Sequence, residues 1–385
     1  MKRLKFIITA FVLLLILAAT GSSLHFYRAE EAGTGESISK PAEQTAEPAP
    51  PAENTEQPAP PAETAKPPVQ PKEFTISLIG DITPDTVAHY KNTPAAYQKV
   101  VTEDNLGYVY EKTKQFFEND DFTIANMECV LSDSDLKAAD KNFVFKAPAS
   151  YAKILTEGKT EFVTIGNNHV LDYGQKGYDD TKAALDAVGV KYAGRDEYTL
   201  YTTESGLKIG VYADSFSSVD KIKKGIAALK EAGAEFIIAA LHWGDEGSYK
   251  INDMQKKQGH AAIDAGADLV YGTHPHTLQP VEKYNGKYIF YSMGNWSFGG
   301  NTNPRDKDTV IAQLKLNRGE DGIVTVTGVK LIPCVSSGVE NGNNYQPAPL
   351  EESDERYKRV LSKLDGTFSG ANLEIGYSYG VGELG

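Results

Sequence analysis

Two histidines one residue apart, His274 and His276, follow a short apolar run in the stretch DLVYGTHPHTLQPVE (268–282). Imidazoles so spaced, on a loop just past a strand end, present two nitrogens to one or two metal ions. Alone, the pair also reads as a structural proline turn. Other metal-ligand types recur at comparable places: Asp81 after Gly80, Glu128 near Asn126, His169 after Asn168, and His242 before Trp243. Carboxylate, amide and imidazole together form the mixed oxygen–nitrogen set that suits Zn, Mn or Fe. Each has a plainer reading, Asp81, Asn126 and Asn168 as turn residues and His242 as a satisfied core imidazole. Coincidence weighs against them, because four of the chain's seven histidines fall in this one set. Glu128 sits in the apolar context MECVL, where a carboxylate needs a partner and a metal is one.

These residues need a scaffold that brings strand ends together. Short β-rich runs at 74–79, 122–126, 161–165, 208–213, 235–241, 269–272 and 288–291 predict strands, and 310–316 with 324–331 predict a late β-pair. Helical spacing covers 104–118, 175–188, 220–232 and 253–265, with a short helix at 149–155 and a further one over 352–364. Gly189 and Gly266 are the stops. Strand, polar loop and helix recur, which argues for α/β architecture. The polar residues sit at the carboxyl ends of strands, where sites assemble in such sheets.

The ends read differently. Residues 1–24 begin with Lys2, Arg3 and Lys5 and continue as an apolar run from Phe6 to Ala19. That predicts a signal peptide or an N-terminal membrane anchor with the following chain outside the cytoplasm. Residues 25–73 are a Pro/Ala/Glu-rich spacer too poor in apolar side chains to fold. About 310 residues remain from Phe74, enough for one large domain. A formal net charge of −13 argues against a nucleic-acid partner. Lys221, Lys223 and Lys224 form a small basic cluster that reads as a solvated helix face. Cys129 and Cys334 are the only cysteines, and the sequence leaves a disulfide and two buried thiols equally open.

Six motifs in order carry a specific resemblance: GDIT (80–83), NMECVL (126–131), GNNHVLDYG (166–174), HWGDE (242–246), GTHPHTLQP (272–280) and YSMGNWSFG (291–299). Together they resemble the CapA-type poly-γ-glutamate capsule synthesis proteins of the calcineurin-like metallophosphoesterase superfamily. The resemblance covers residues 74–334 and leaves 335–385 as a C-terminal extension. It implies a metallophosphatase-like four-layer α-β-β-α sandwich, two packed mixed sheets flanked by helices. It also implies a metal centre of one or two divalent ions. Asp81 and His276 would hold the first ion and Asn168, His242 and His274 the second, with Glu128 bridging. His169 would act on substrate as general acid or phosphate-orienting group, oriented by Asp172, and Asn126 would support Glu128.

Two departures stand out. Thr83 occupies a position where the superfamily usually has a His, and Asn-Met-Glu replaces its Gly-Asp-x-x-Asp motif. The first metal position therefore has one nitrogen ligand fewer than usual. The implied partners are a membrane, an anionic capsule polymer or phosphoester substrate, and membrane-bound synthesis subunits. Two alternatives stand beside a capsule role: a metal-dependent phosphoesterase of unrelated substrate, and a non-catalytic wall-associated binding module.

Overall fold

The computed structural model describes residues 70–195 and 197–373. The predicted membrane segment (1–24), all but the end of the spacer (25–73) and the end of the extension lie outside the described residues. Among the described residues, no helix is long and apolar enough to cross a membrane. In chain order the strands are β1 (Lys72–Thr83), β2 (Phe122–Met127), β3 (Val130–Leu131), β4 (Lys146–Ala147), β5 (Phe162–Thr164), β6 (Lys191–Ala193), β7 (Tyr198–Thr202), β8 (Lys208–Ser215), β9 (Phe236–His242), β10 (Leu269–Thr273), β11 (Val281–Tyr284), β12 (Lys287–Phe290), β13 (Asn295–Phe298), β14 (Asp308–Arg318), β15 (Val324–Val335) and β16 (Ala348–Pro349). The helices are α1 (Tyr97–Val100), α2 (Lys153–Glu157), α3 (Gly174–Ala187), α4 (Val219–Glu231), α5 (Asp253–Ala265) and α6 (Glu355–Leu364).

One sheet runs β16-β15-β14-β1-β2-β5-β6, with β13 also paired to β1, and the other runs β11-β12-β10-β9-β8-β7. Both are mixed. Parallel β1, β2, β5 and β6 adjoin antiparallel β14 in the first, and parallel β8, β9, β10 and β12 are edged by antiparallel β7 and β11 in the second. Side-chain alternation along β9 shows how the layers form. Phe236, Ile238 and Ala240 join a core shared with Phe74, Ile76 and Leu78 of β1, so they lie between the sheets. Ile237, Ala239 and Leu241 point the other way, against Ile222 and Ile226 of α4 and Ile263 of α5. A third core, holding Ile79, Ala125 and Val163, packs beneath Tyr178 and Leu185 of α3 and Ile154 of α2. Helix, sheet, sheet, helix is the expected sandwich.

Local chemistry sets the helix ends. Asn252 and Gln255 close a capping box on α5, and Gly266 ends that helix with φ of 104°. Ser218 caps α4. The stretch 104–118 is not one helix but two 3₁₀ turns, Leu106–Tyr110 and Lys114–Phe116, neither with a side-chain cap. The apolar residues Leu106, Tyr110 and Phe117 are buried all the same, and Leu106 and Val109, three apart, share a face of a 3₁₀ turn. The region beyond 334 adds β16 against β15, and Val360 and Leu364 of α6 enter the inter-sheet core. Cys129 and Cys334 are buried free thiols.

Candidate metal centre

Asp81, Asn126 and His242 lie at the carboxyl ends of β1, β2 and β9, and Glu128, Asn168, His274 and His276 on the loops that follow β2, β5 and β10. All of these strand ends open on one place. Glu128 is at its middle. Its Oε1 lies 3.4 Å from His242 Nε2. On the other side, Asp81 Oδ2 lies 3.4 Å from His276 Nδ1. Ligand atoms of Glu128, His242 and His274 all fall within 4.8 Å of one another, as do those of Asp81, Glu128 and His276. Glu128 belongs to both groups.

Asp81 Oδ2, both carboxylate oxygens of Glu128 and His274 Nδ1 are buried without a hydrogen-bond partner. Leaving charged acceptors so is costly, at roughly 1–3 kcal/mol or more per group. A cation among them removes that cost, so the residues present fit a metal ion. The backbone is also strained where the two imidazoles are presented. His274 has φ of 99° and His276 of 57°, in the region that favours glycine.

The electrostatics agree. Burial raises Asp81 above the usual carboxylate range, and the neighbouring Glu128 charge adds to the effect. Burial also works against ionised Glu128, but His276 and His242 outweigh it and hold that carboxyl low. Burial pushes His274 well below the usual imidazole range, which keeps a lone pair free for a ligand bond. Burial opposes protonation of His276 too, yet Glu128 and Asp81 overcome it and raise it to about 10.

Surrounding groups orient these side chains. His242 Nδ1 meets Thr273 Oγ1 at 2.9 Å, leaving Nε2 toward Glu128 and 2.9 Å from Asn168 Oδ1. Asn126 donates to Asp81 Oδ1 at 2.9 Å, so it supports Asp81 rather than Glu128. Its own oxygen accepts from Thr164 Oγ1 at 2.9 Å and Asn167 Nδ2 at 3.1 Å. Thr83 sends its hydroxyl to the Glu128 carbonyl at 3.2 Å.

Beside the centre, His169 Nδ1 sits 2.6 Å from Asp172 Oδ2. His169 lines a pocket with Phe143, Phe145, Glu246, His276 and Phe298. Sequence reading does not find Lys141, whose Nζ lies 2.6 Å from Asp172 Oδ1 and donates to the Asn168 carbonyl at 2.9 Å. Nor does it assign roles to Thr273, Asn167 or Asn295, although all three lie inside the quoted motifs. For Thr273 and Asn167 the signal was their place beside His274 and Asn168, whereas Asn295 has no such neighbour in the chain. Lys221, Lys223 and Lys224 are exposed on α4.

Two mixed sheets packed face to face under helices, with carboxylates, amides and imidazoles gathered at the strand ends, define a metallophosphatase-like protein. A family model described as bacterial capsule synthesis protein PGA_cap matches residues 75–299, more than half of the 385-residue chain, and the chain belongs to that family. Curated relatives include PGA biosynthesis protein CapA of Bacillus subtilis, 28% identical over 295 residues, covering 69% of this chain and 73% of that one. Capsule biosynthesis protein CapA of Bacillus anthracis is 27% identical over 289 residues, covering 68% of each. Among solved structures, Haemophilus influenzae NAD nucleotidase is similar over 77% of this chain and 56% of its own, at 13% identity and a TM-score of 0.39. Purple acid phosphatase PPD1 of yellow lupin is similar over 79% and 57%, at 12% identity and 0.34.

Proposed function

We propose that this protein acts outside the cytoplasm, held at the membrane by residues 1–24, in the synthesis or export of a poly-γ-glutamate-type capsule polymer, and that its strand-end cluster is a two-metal hydrolytic site. The polymer assignment rests on family membership and on the two CapA relatives. The carrying observation for the site is Glu128, fully buried, with both oxygens unpartnered and shared by two ligand groups. Asp81 and His276 would hold one ion, and Asn168, His242 and His274 the other. Mn, Zn and Fe suit such donors.

Divalent ions held by these residues would supply an activated water and positive charge to offset the negative charge developing at the bond being cut. The chain's own residues do the rest. Asp172 accepts a hydrogen bond from His169 Nδ1, which leaves Nε2 to give or accept a proton at the substrate. Lys141 holds Asp172 from the other side, so the carboxylate and the imidazole it orients stay in place. Phe143, Phe145 and Phe298 wall the pocket with apolar rings. Such a site cuts an amide in a polyglutamate chain or a phosphoester, and superfamily membership keeps the second substrate class in view.

Four measurements test the reading. Purified full-length protein should carry stoichiometric divalent metal, and a metal-free protein after mild loading with Mn, Zn and Fe would reject the site. Deletion of the gene should lower the surface polymer, and unchanged polymer rejects the capsule role. Turnover of a chromogenic phosphodiester with polymer left intact would transfer the site to the phosphoesterase reading. Cell fractionation should find the protein with membranes.

A further inference from the structure

We propose that Asn295 supplies an amide oxygen to the metal position formed by Asp81, Glu128 and His276, and so completes it. The inference rests on the two-metal reading above. Each ligand group of the cluster offers three side chains. A divalent transition metal takes at least four donors. At the second position Asn168 stands ready, with Oδ1 2.9 Å from His242 Nε2. At the first, Asn295 stands in the same relation, with Oδ1 2.9 Å from His276 Nδ1. Both amide oxygens face an imidazole nitrogen that itself faces a carboxylate: Glu128 at 3.4 Å in one case and Asp81 at 3.4 Å in the other. Thr83 does not compete for the role, because its hydroxyl is spent on the Glu128 carbonyl.

The fold goes to some length to place Asn295. Strand β13 pairs parallel with β1 in a register that sets Asn295 opposite Asp81, with a register shift immediately after. The Asp81 amide donates to the Gly294 carbonyl at 2.9 Å. That approach needs glycine on both segments. A Cβ at Gly80 would collide with the Gly294 carbonyl, and Gly294 has φ of 65°. Asn295 is only 9% exposed, and its amide nitrogen reaches back to the His276 carbonyl at 3.4 Å, which turns Oδ1 inward.

The donor count then separates the two positions. Asp81, Glu128, Asn295 and His276 give three oxygens and one nitrogen. Asn168, Glu128, His242 and His274 give two of each. Oxygen-rich sets suit Mn, and nitrogen-richer sets suit Zn. A mixed Mn/Zn centre follows, with Mn on the Asn295 side.

The test loads full-length protein with Mn and Zn together, measures both by elemental analysis, and follows Mn by electron paramagnetic resonance. Wild type should hold one of each. Asn295→Ala should lose Mn affinity by at least tenfold while Zn stays within twofold, and the retained Zn certifies the fold. Asn295→Asp, which keeps an oxygen in place, should retain both ions. A structure of the loaded protein should put Asn295 Oδ1 within about 2.0–2.6 Å of the Mn, as for other hard-cation oxygen ligands. An oxygen beyond about 3.5 Å makes Asn295 a positioning residue for His276 and overturns the proposal. So does an Asn295→Ala protein with unchanged Mn binding, or one that loses both ions equally. Wild type that binds no metal overturns this inference together with the two-metal reading. Wild type that binds both while Asn295→Ala also binds both overturns this inference alone.

Discussion

Glu128 Oε1 lies 3.4 Å from His242 Nε2, yet neither oxygen of that carboxylate accepts a hydrogen bond. A carboxylate buried in this way is stable only with cations on both sides. In the metal-free chain His276 serves as one such cation, since Glu128 and Asp81 raise it to about 10 against the opposing effect of burial. Glu128→Gln removes the shared charge, so both metals should be lost together, each weakened by at least ~100-fold. Asn168→Ala should weaken only the second position. Elemental analysis of the two variants side by side checks this, and equal retention of metal in Glu128→Gln would refute the sharing.

The His169–Asp172 contact of 2.6 Å sits next to the ligands but outside both groups. Substitution there should therefore change turnover and leave metal content alone. Asp172→Asn should lower kcat by roughly 10–100-fold through loss of the oriented tautomer. His169→Ala should lower it by roughly 100–1,000-fold. Steady-state kinetics on a cleavable substrate, with metal measured on the same samples, separates this from a structural fault.

Much of this was readable in the chain. The run FIIAAL before His242 alternates between two cores, and the sequence marks it as a strand because β-branched and apolar residues fill both faces. Asp81, Glu128, Asn168, His242, His274 and His276 announced themselves by type and by place after such runs. What stayed hidden depends on tertiary pairing. Strand β13 has glycines and polar residues around it and takes its shape from β1, so Asn295 carried no local signal. Lys141 reaches Asp172 across 31 residues, and no periodicity connects them. Asn126 is two residues from Glu128 in sequence but across the strand pair from Asp81, and the pairing decides which carboxylate it serves.

The C-terminal region is tied to the loop beside the centre by a buried ammonium. Lys363, 2% exposed, bonds Asp306 at 2.7 Å and Asp308 at 2.6 Å. Asp306 in turn accepts from the Tyr249 hydroxyl at 2.7 Å. Two residues earlier, the Gly247 amide donates to the Pro275 carbonyl at 2.8 Å, between the two histidines. Lys363→Met leaves two buried carboxylates short of a partner and should destabilise the fold by about 3–5 kcal/mol. Urea unfolding measures it, and a change under about 1 kcal/mol would mean that Tyr249 on Asp306 and Arg359, which donates to both Asp308 oxygens at 2.7 Å, suffice.

Glu161 gives a pH dependence free of the metal ligands. Burial, with the Asp120 charge adding to it, raises this carboxyl to about 7, although its Oε2 accepts from the Thr123 amide at 2.8 Å. In the unfolded chain it titrates near ~4.3. Between these values the folded state binds more protons than the unfolded one, so stability falls as pH rises through the window. The loss is complete above about pH 7 and absent below about pH 4. Glu161→Gln should thus stabilise at pH 8 by about 1–3 kcal/mol and have little effect at pH 4. Denaturant titrations at the two pH values decide it, and an equal effect at both would show that the carboxylate is not strained by burial.

Gly80 and Gly294 control whether β13 can reach the centre at all. A Cβ on residue 80 would run into the Gly294 carbonyl and lie 2.9 Å from the Met293 carbonyl oxygen, and neither is a side chain that can swing away. The strand must move instead. Gly80→Ala should cost about 3 kcal/mol by overpacking. The displacement also parts Asp81 from Asn295, while Asn168, His242 and His274 sit on other elements. Gly80→Ala should therefore lose Mn affinity by about tenfold or more and keep Zn, whereas Gly233→Ala, where φ of 84° strains a side chain but a Cβ meets nothing within 4 Å, should cost stability and leave both ions bound. Thermal melts and metal content of the two variants, read together, distinguish a failing site from a failing fold.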